Sequence, residues 1–260
     1  MDGVARPRGA LPLAFVLSLT LLASLTRGQE EPKAAGEEDA IGIRDNSFLV
    51  EEAFNQDQGV CQHIFNWVPS WDRDAGVRTR TFNFMFTQEW PVGSQLHQLS
   101  YTIPLERISA VGPDAREAEV SGTGNVMLNY RLQVFDAENE PFAFAPRCSL
   151  ILPPADGAEG SRVGYQLNLP FSKEFNHWVV HFNAGLTVGS DVLEIQEAPL
   201  PPLGHMLRGY NLGFSVVRVL SPKFHLMLET VGQWDEELLA DGSHDHTNAI
   251  VISPGFRWAP

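Results

Sequence analysis

The sequence is poor in cysteine and in positive charge. Its 260 residues include two cysteines, and 18 Lys and Arg stand against 32 Asp and Glu, which gives a formal net charge of −14. Two cysteines without a C-x-x-C pair exclude a disulfide scaffold and provide no zinc or redox motif. An acidic chain repels phosphate backbones, so nucleic acid is not an expected partner. With 43% hydrophobic and 10% aromatic residues, a wholly disordered or collagen-like chain is also excluded.

Long hydrophobic runs are scarce as well. One apolar run, at 10–25, follows two arginines and precedes Thr26 and Gly28, which suit the −3 and −1 positions of a signal peptidase site. Residues 1–28 are therefore predicted to be a secretory signal peptide, with a membrane anchor as the disfavoured alternative. No later stretch approaches the ~18 consecutive apolar residues of a membrane helix, so any later membrane crossing would use strands.

The next region, 29–57, is acidic, with nine acidic and two basic residues. Residues 29–44 are predicted to be a disordered leader because they contain little apolar material. Residues 45–57 are predicted to form a short amphipathic helix, since apolar residues recur there at helical spacing after good capping residues. These apolar residues are Leu49, Val50, Ala53 and Phe54. The helix would be a plug or lid at a barrel mouth, or it would only pack beneath the domain.

The hydrophobic period changes to two in the rest of the chain, 58–260, which is predicted to be one β-barrel domain. The clearest strand places Val126, Leu128 and Tyr130 on one face and Asn129 and Arg131 on the other. Ten strands are predicted, at 60–67, 79–90, 98–103, 125–134, 142–152, 163–171, 178–186, 206–220, 223–234 and 247–258.

The lengths of the connections distinguish three all-β architectures. In a sandwich or a lipocalin-like barrel the apolar faces point inward, whereas in a transmembrane barrel they point to lipid. The predicted links alternate strictly between short and long. The short links are 91–94, 136–141, 172–176 and 221–222, and the long links are 68–78, 105–124, 153–162, 187–205 and 235–246. This alternation is typical of an up-and-down antiparallel transmembrane β-barrel, which has short turns on one rim and long loops on the other.

Tryptophan positions favour the same architecture. Five of the six tryptophans lie at predicted strand ends, and Trp71 lies in a predicted loop. Amphipathic indoles concentrate at the two membrane interfaces, so these five are predicted membrane-interface aromatics. They are Trp67, Trp90, Trp178, Trp234 and Trp258. Arg208 and Arg218 lie at the two ends of one apolar strand face, where their long side chains could reach lipid headgroups.

The strand positions that alternate with the apolar ones carry polar residues, which would point inward, line a lumen and contact solute. They are Asn83, Glu89, Asn129, Arg131, Arg147, Gln166, Asn168, His181, Asn211 and Glu229, with Gln133 and Asn183 beside them. Arg131 and Arg147 lie on neighbouring strands, and Glu89 and Glu229 are their predicted partners because like charges in a confined space repel. These side chains would orient a passing polar solute, or they would only fill a narrow interior.

An enzyme is not predicted. The sequence has no G-x-S-x-G elbow, P-loop or H-E-x-x-H motif, and no cofactor is expected. Two weaker alternatives are a hydrolase site around His181 and metal capture by His244 and His246. Cys61 and Cys148 lie on strands that are not adjacent in an up-and-down order, so both are interpreted as lone thiols.

Several segments resemble a known family. They are Asp45-Asn-Ser-Phe-Leu-Val-Glu-Glu-Ala-Phe-Asn-Gln56, Gly59-Val-Cys-Gln-His63, Phe86-Thr-Gln-Glu-Trp-Pro91, His97-Gln-Leu-Ser-Tyr101, Ala145-Pro-Arg147, Leu150-Ile-Leu-Pro153 and Gly164-Tyr-Gln-Leu-Asn-Leu-Pro170. Over residues 45–258 the chain resembles bacterial outer-membrane proteins described as transporters of the meta-pathway of phenol degradation. The resemblance implies a porin-like barrel in the bacterial outer membrane that acts as a passive channel or transporter for small hydrophobic or aromatic solutes. Its partners would be outer-membrane lipid, the solute and the barrel-insertion machinery.

The chain departs from that family at its end, which is Phe256-Arg-Trp258-Ala-Pro260 rather than a strand with a terminal aromatic residue. Either ten strands close the barrel, or the chain is a truncated twelve-stranded barrel, which is the favoured interpretation. Pro146 and Pro254 fall inside predicted strands and should each mark a bulge or an open edge. Two further functions stay open: a non-conducting barrel whose external loops bind a partner, and a soluble secreted ligand-binding barrel.

Overall fold

The computed structural model describes residues 47–74, 76–112, 117–136, 140–153, 163–192, 204–238 and 243–258. The predicted signal peptide (1–28) and leader (29–44) lie outside the described residues. The strands are β1 (Gln62–Asp74), β2 (Val77–Val92), β3 (Ser94–Val111), β4 (Glu117–Thr123), β5 (Val126–Leu132), β6 (Ala143–Phe144), β7 (Arg147–Leu152), β8 (Gly164–Phe175), β9 (Trp178–Val192), β10 (Gly204–Ser221), β11 (Phe224–Leu238) and β12 (His244–Trp258).

All twelve strands belong to one antiparallel sheet that curls into a half-barrel. Ten of them follow one another in the order β1-β2-β3-β5-β7-β8-β9-β10-β11-β12, while β4 pairs with β3 and β6 pairs with β8. The two ends of this order are β1 and β12. The predicted up-and-down antiparallel order is therefore confirmed for ten strands, whereas β4 and β6 were not predicted as separate strands.

The two faces of the sheet differ in the way that the alternation predicts. Along β5, Leu128 is 44% exposed, whereas its neighbour Asn129 is 4% exposed. Along β8, Tyr165 is 62% exposed and Asn168 is 3% exposed. The polar residues thus lie on the concave, inner face and the apolar residues on the convex, outer face, as the alternation predicts for a barrel with a polar interior.

Several predicted loops are strands instead. The predicted link 68–78 belongs almost wholly to β1 and β2, which meet at a turn around Gly76, and Trp71 therefore lies in β1. Most of the predicted link 105–124 belongs to β3 and β4. Period-two alternation of apolar and polar residues reveals a strand only where one face of that strand is apolar. These outer hairpin ends lack an apolar face, so the sequence pattern did not predict them. They are held by the backbone ladder and by polar pairs such as Arg107 Nη2 to Glu119 Oε2 at 2.7 Å.

The predicted strict alternation of short and long links is therefore not preserved in detail. After β5 the connection runs from 133 to 146 and contains β6, so it is longer than the predicted 136–141. Tight turns follow β2, β8 and β10, as predicted. Gly93, with a φ of 73°, provides the turn after β2, because a positive φ is easily adopted by glycine.

Prolines mark the places where neighbouring strands break. Pro104 in β3 lies opposite Gly124, between β4 and β5, and its carbonyl accepts the Gly124 N–H at 3.0 Å. Pro146 lies between β6 and β7, outside both strands. Pro254 lies in β12, at one end of the sheet. A proline cannot donate to a ladder. Pro146 accordingly marks a break between two strands, and Pro254 lies on the open edge strand β12 of the described sheet, as predicted.

The predicted helix at 45–57 is wrong for its described part. Residues 47–57, called the inner segment below, form bends and irregular backbone along the concave face. Beyond its first turn a helix satisfies its N–H groups with its own carbonyls, whereas the N–H groups of Ala53, Asn55 and Gln56 donate to the side chains of Ser172, Gln133 and Gln98.

Among the described residues, no helix is long and apolar enough to cross a membrane.

Candidate functional site

The candidate site is the concave face together with the inner segment that it holds. The period-two alternation brings polar side chains to this face, and nine of the described strands contribute buried ones. Buried polar groups must find partners or destabilise the fold. Here the backbone and carboxylates of the inner segment provide most of those partners.

Glu229 of β11 holds the start of the inner segment. Its carboxylate accepts backbone hydrogen bonds from the N–H groups of Phe48 (3.1 Å), Leu49 (3.1 Å) and Val50 (3.3 Å). Successive N–H groups that converge on one anion form a nest, a concave anion-binding backbone arrangement. The side chain of Glu229 is fully buried, so its charge is balanced by these dipoles instead of by water.

The rest of the inner segment is held in the same way along the sheet. The Ala53 N–H donates to Ser172 Oγ at 2.8 Å, the Asn55 N–H to Gln133 Oε1 at 2.9 Å, and the Gln56 N–H to Gln98 Oε1 at 2.7 Å. Together with Glu229, these acceptors come from four regions that are far apart in sequence. The segment therefore has a defined path that depends on the curled sheet being formed.

Two adjacent carboxylates of the inner segment meet three arginines. Glu51 lies between two of them, with Oε1 3.4 Å from Arg131 Nη1 and Oε2 3.1 Å from Arg147 Nε. Glu52 Oε1 lies 3.0 Å from Arg257 Nη2. Arg131 also donates to the backbone carbonyl of Glu52 at 3.1 Å. These pairs are largely shielded from solvent, and breaking one by removing a partner would leave an uncompensated charge.

His181 and Ser172 form a pair beneath the inner segment. Ser172 Oγ lies 2.7 Å from His181 Nδ1, and His181 Nε2 lies 3.9 Å from Glu52 Oε1. Serine, histidine and glutamate in this order are the residue types of a hydrolase triad. However, Ser172 and His181 are each 1% exposed, and the Ala53 N–H covers the serine hydroxyl. In this structure the group holds the inner segment.

Apolar contacts anchor the segment at two points. Phe48 packs against a buried cluster of Val179, Val217, Val219 and Met227, near the tight turns. Phe54 packs against buried Ala53, Ala143 and Ala145. Gly213 allows the close approach of the segment, since a Cβ at that position would come 3.2 Å from a methyl group of Val50.

A cavity of about 240 Å³ lies between the inner segment and the strands β1, β2, β3, β5 and β7. Its charged lining includes Glu51, Glu89, Arg131 and Arg147, and its apolar lining includes Phe48, Leu49, Phe54 and Ile64. Asn129 also lines it, and its Oδ1 is buried without a hydrogen-bond partner. The cavity lining thus combines apolar with polar and charged side chains.

Most of the predicted lumen residues meet at this site. Arg131, Arg147, Asn168, His181 and Glu229 contact the inner segment directly. Glu89 and Asn129 line the cavity, Gln166 bonds Arg147 at 2.9 Å, and Asn211 lies beside Gly185 and Asn168. Asn83 lies apart from them, opposite Val68 of β1 and Glu106 of β3.

The predicted partners of the arginines are wrong. Arg131 and Arg147 do face one another on β5 and β7, but Glu51 of the inner segment lies between them. Glu229 holds backbone N–H groups, and Glu89 accepts a hydrogen bond from Gln98 Nε2 at 3.0 Å. The charge of Glu229 is satisfied by a backbone nest, and the charges of the two arginines are satisfied by the inner segment. The spacing of residues within the strands shows neither contact.

Sequence reasoning missed Arg257, His225, Gln98, Ser172 and Ser215, all buried on the inner face. Their inward parity was a usable signal, since Arg257, His225, Gln98 and Ser172 each lie an even number of residues from another buried polar residue of the same strand. Sequence reasoning also missed Glu51 and Glu52, because their segment was interpreted as a helix outside the sheet.

The tryptophans of the strands divide between the two rims. Trp90, Trp178 and Trp258 lie near the tight turns, whereas Trp234 lies toward the opposite rim. Trp67 lies within β1 opposite Phe84, so its predicted position at a strand end is wrong, because β1 continues to Asp74. Arg218 Cζ lies 4.8 Å from the centre of the Trp178 ring.

The described residues contain no group of three His, Cys, Asp or Glu side chains placed to hold a metal ion. Cys61 and Cys148 are both free thiols, as predicted. No protein-family model matches this chain, and no curated protein sequence matches it either. The family resemblance inferred from the residues therefore stays a prediction.

Proposed function

We propose that this chain is a transmembrane β-barrel protein of the bacterial outer membrane that passes small solutes through a polar lumen, with the inner segment as its constriction. The observation that carries the proposal is the inverted arrangement of the sheet. Large apolar side chains are exposed over the convex face, whereas arginine, glutamate, histidine and asparagine side chains are buried on the concave face. A soluble protein rarely exposes apolar residues over so wide a surface, whereas a barrel in lipid requires it.

The separation of the tryptophan positions supports the same proposal. Trp258 pairs with Phe224, and Trp234 lies ten residues further along β11. Ten residues span about 34 Å along a strand, and a tilt of about 45° leaves about 24 Å across the sheet. This matches the ~25 Å apolar band of outer-membrane barrels, which is bordered by aromatic girdles.

The proposal places a requirement on the edges of the sheet. Lipid cannot satisfy unpaired backbone groups, so open edges do not occur in the hydrocarbon region. The outer edges of β1 and β12 must therefore be paired in the membrane, with each other or with further strands.

Reconstitution of the full chain tests membrane insertion and conduction separately. A folded barrel is expected to need detergent and to migrate differently on a gel before and after heating, and a soluble, heat-insensitive protein would contradict the membrane proposal. In liposomes, solute uptake should rise when the inner segment is loosened by Glu229→Leu, while Glu236→Leu on the same strand is the matched control. Liposomes that stay impermeable with both variants would contradict conduction.

A non-conducting barrel whose external loops bind a partner is the second candidate. It is favoured by the extensive bonding of the inner segment, whose backbone N–H groups at six positions bond to side chains of the sheet. Such a barrel would show the gel shift and stay impermeable in the same liposomes.

A further inference from the structure

The cavity beside the inner segment is small and has a mixed lining. Its volume is about 240 Å³. Phe48, Phe54 and Ile64 provide apolar surface, while Arg131 and Arg147 provide charge. Ligand sites commonly combine an apolar lining with a few polar groups that fix orientation.

The two arginines form a site for a carboxylate. They are direct partners on adjacent strands, and each side chain is mostly buried, with 8% and 21% exposure. Both are ion-paired with the same carboxylate, that of Glu51, at 3.4 Å and 3.1 Å. Guanidinium groups bind carboxylates strongly and with defined geometry, so Glu51 occupies the position that a carboxylate from outside would take.

Two further polar groups at this place lack partners. Asn129 Oδ1 and Ser149 Oγ are both buried without a hydrogen bond. The two residues face each other across β5 and β7, next to the arginine pair. The Ser149 hydroxyl is able to donate to a carboxylate placed beside the arginines, whereas Asn129 Oδ1 can only accept and would be satisfied by water.

We propose that the cavity binds a small carboxylate with an apolar body, whose carboxylate replaces Glu51 between Arg131 and Arg147. The apolar body would lie against Phe48, Phe54 and Ile64. Replacement would free one of the two carboxylates that hold the inner segment, so the ligand would loosen the constriction as it binds. This inference rests on the proposed function for the consequence of loosening, but the binding site itself does not depend on conduction.

Benzoate is a suitable probe because it has an apolar ring and one carboxylate, and benzamide is its neutral counterpart of nearly equal shape. Binding of each to the full chain in detergent can be measured by calorimetry. Benzoate should bind at least about tenfold more tightly than benzamide, as expected for a charge-assisted contact with arginine. Equal binding of the two would overturn the proposal.

Two substitutions separate this site from general anion binding. Glu51→Gln removes the resident competitor and keeps its hydrogen-bonding shape, so benzoate should bind about tenfold more tightly, whereas Arg147→Gln should weaken it at least tenfold. Arg107→Gln is the matched control, because it also breaks an arginine–glutamate pair, at the rim. The proposal would be overturned if Glu51→Gln left the benzoate affinity unchanged. It would also be overturned if Arg107→Gln reduced that affinity as much as Arg147→Gln does.

The gel-shift assay verifies that each variant is folded, and Glu51→Gln alone decides the matter if Arg147→Gln does not fold. Failure of the site and failure of the proposed function are distinguishable. Benzoate binding in detergent without uptake in liposomes would keep the site and remove conduction. Uptake without any preference for benzoate over benzamide would keep conduction and remove the site.

Discussion

The two faces of the sheet reverse the usual relation between polarity and burial. On the convex face, Phe214 is 48% exposed and Leu228 is 52% exposed, whereas on the concave face their neighbours Ser215 and Glu229 are fully buried. In a water-soluble protein the hydrophobic effect would turn this arrangement around. The difference indicates that polar contacts with the inner segment order the concave face, and an apolar environment of the convex face is what the proposed membrane location would provide.

The first prediction tests the concave face at its strongest contact. Glu229→Leu removes the acceptor of one buried and two partly buried N–H groups, and each unsatisfied donor costs about 1 kcal/mol or more. Amide exchange of residues 48–50 should therefore accelerate by about a hundredfold, since ~1.4 kcal/mol corresponds to a factor of ten. Hydrogen exchange with mass spectrometry measures this.

Glu236→Leu on the same strand is the control for that substitution. Glu236 accepts a single backbone hydrogen bond, from Arg208 at 3.1 Å, in an exposed position. Its loss should leave exchange at 48–50 unchanged. Equal protection of 48–50 in both variants would show that the nest does not hold the inner segment.

The second prediction tests the convex face. Phe214 lies on β10 midway between Tyr210 and Arg218, which are at the levels of the two tryptophan rims. Phe214→Arg should destabilise a barrel in lipid by about 2–4 kcal/mol, the cost of a cation near the bilayer centre. In a soluble protein the same exposed substitution would cost less than about 0.5 kcal/mol. Guanidinium unfolding in lipid vesicles gives the value.

Val120→Arg is the matched control for Phe214→Arg. Val120 is 69% exposed on β4, in the hairpin end that carries the Arg107–Glu119 pair. A cation there would remain in water and change stability little. If both variants lose the same stability, the two positions lie in one environment and the membrane interpretation of the convex face is wrong.

The sequence predicted the sheet well because its information is local. Alternation along β5 and β8 placed Leu128, Asn129, Tyr165 and Asn168 on the correct faces, and the order of strands followed from tight turns. Adjacent strands also brought Arg131 and Arg147 together as expected. These features depend on neighbours in sequence or on the next strand, which a period of two and a turn are enough to specify.

The sequence predicted the inner segment poorly because its conformation depends on distant side chains. Leu49, Val50, Ala53 and Phe54 have helical spacing, but the Ala53 N–H, which a helix would use, donates to Ser172 Oγ, 119 residues away. The pairing of Glu51 with Arg131 spans 80 residues. No local pattern contains this information, so tertiary contacts override the helical spacing.

The smallest predicted effect concerns the rim of the convex face. Arg218 stacks over Trp178 at 4.8 Å and faces it across β9 and β10. An exposed cation–π contact contributes about 0.5–1 kcal/mol. A double-mutant cycle with Trp178→Leu and Arg218→Leu should give a coupling of that size, measured by unfolding in vesicles.

The lipid dependence of that coupling sharpens the comparison between the two faces. If Trp178 and Arg218 lie at headgroup level, anionic lipid should reduce the coupling, because phosphate groups compete with the indole ring for the guanidinium. The Glu52–Arg257 pair on the concave face is 3.0 Å long and buried, so its coupling should not respond to lipid charge. If anionic lipid reduced both couplings equally, both pairs would have to contact the headgroups. That result would contradict a buried network on the concave face.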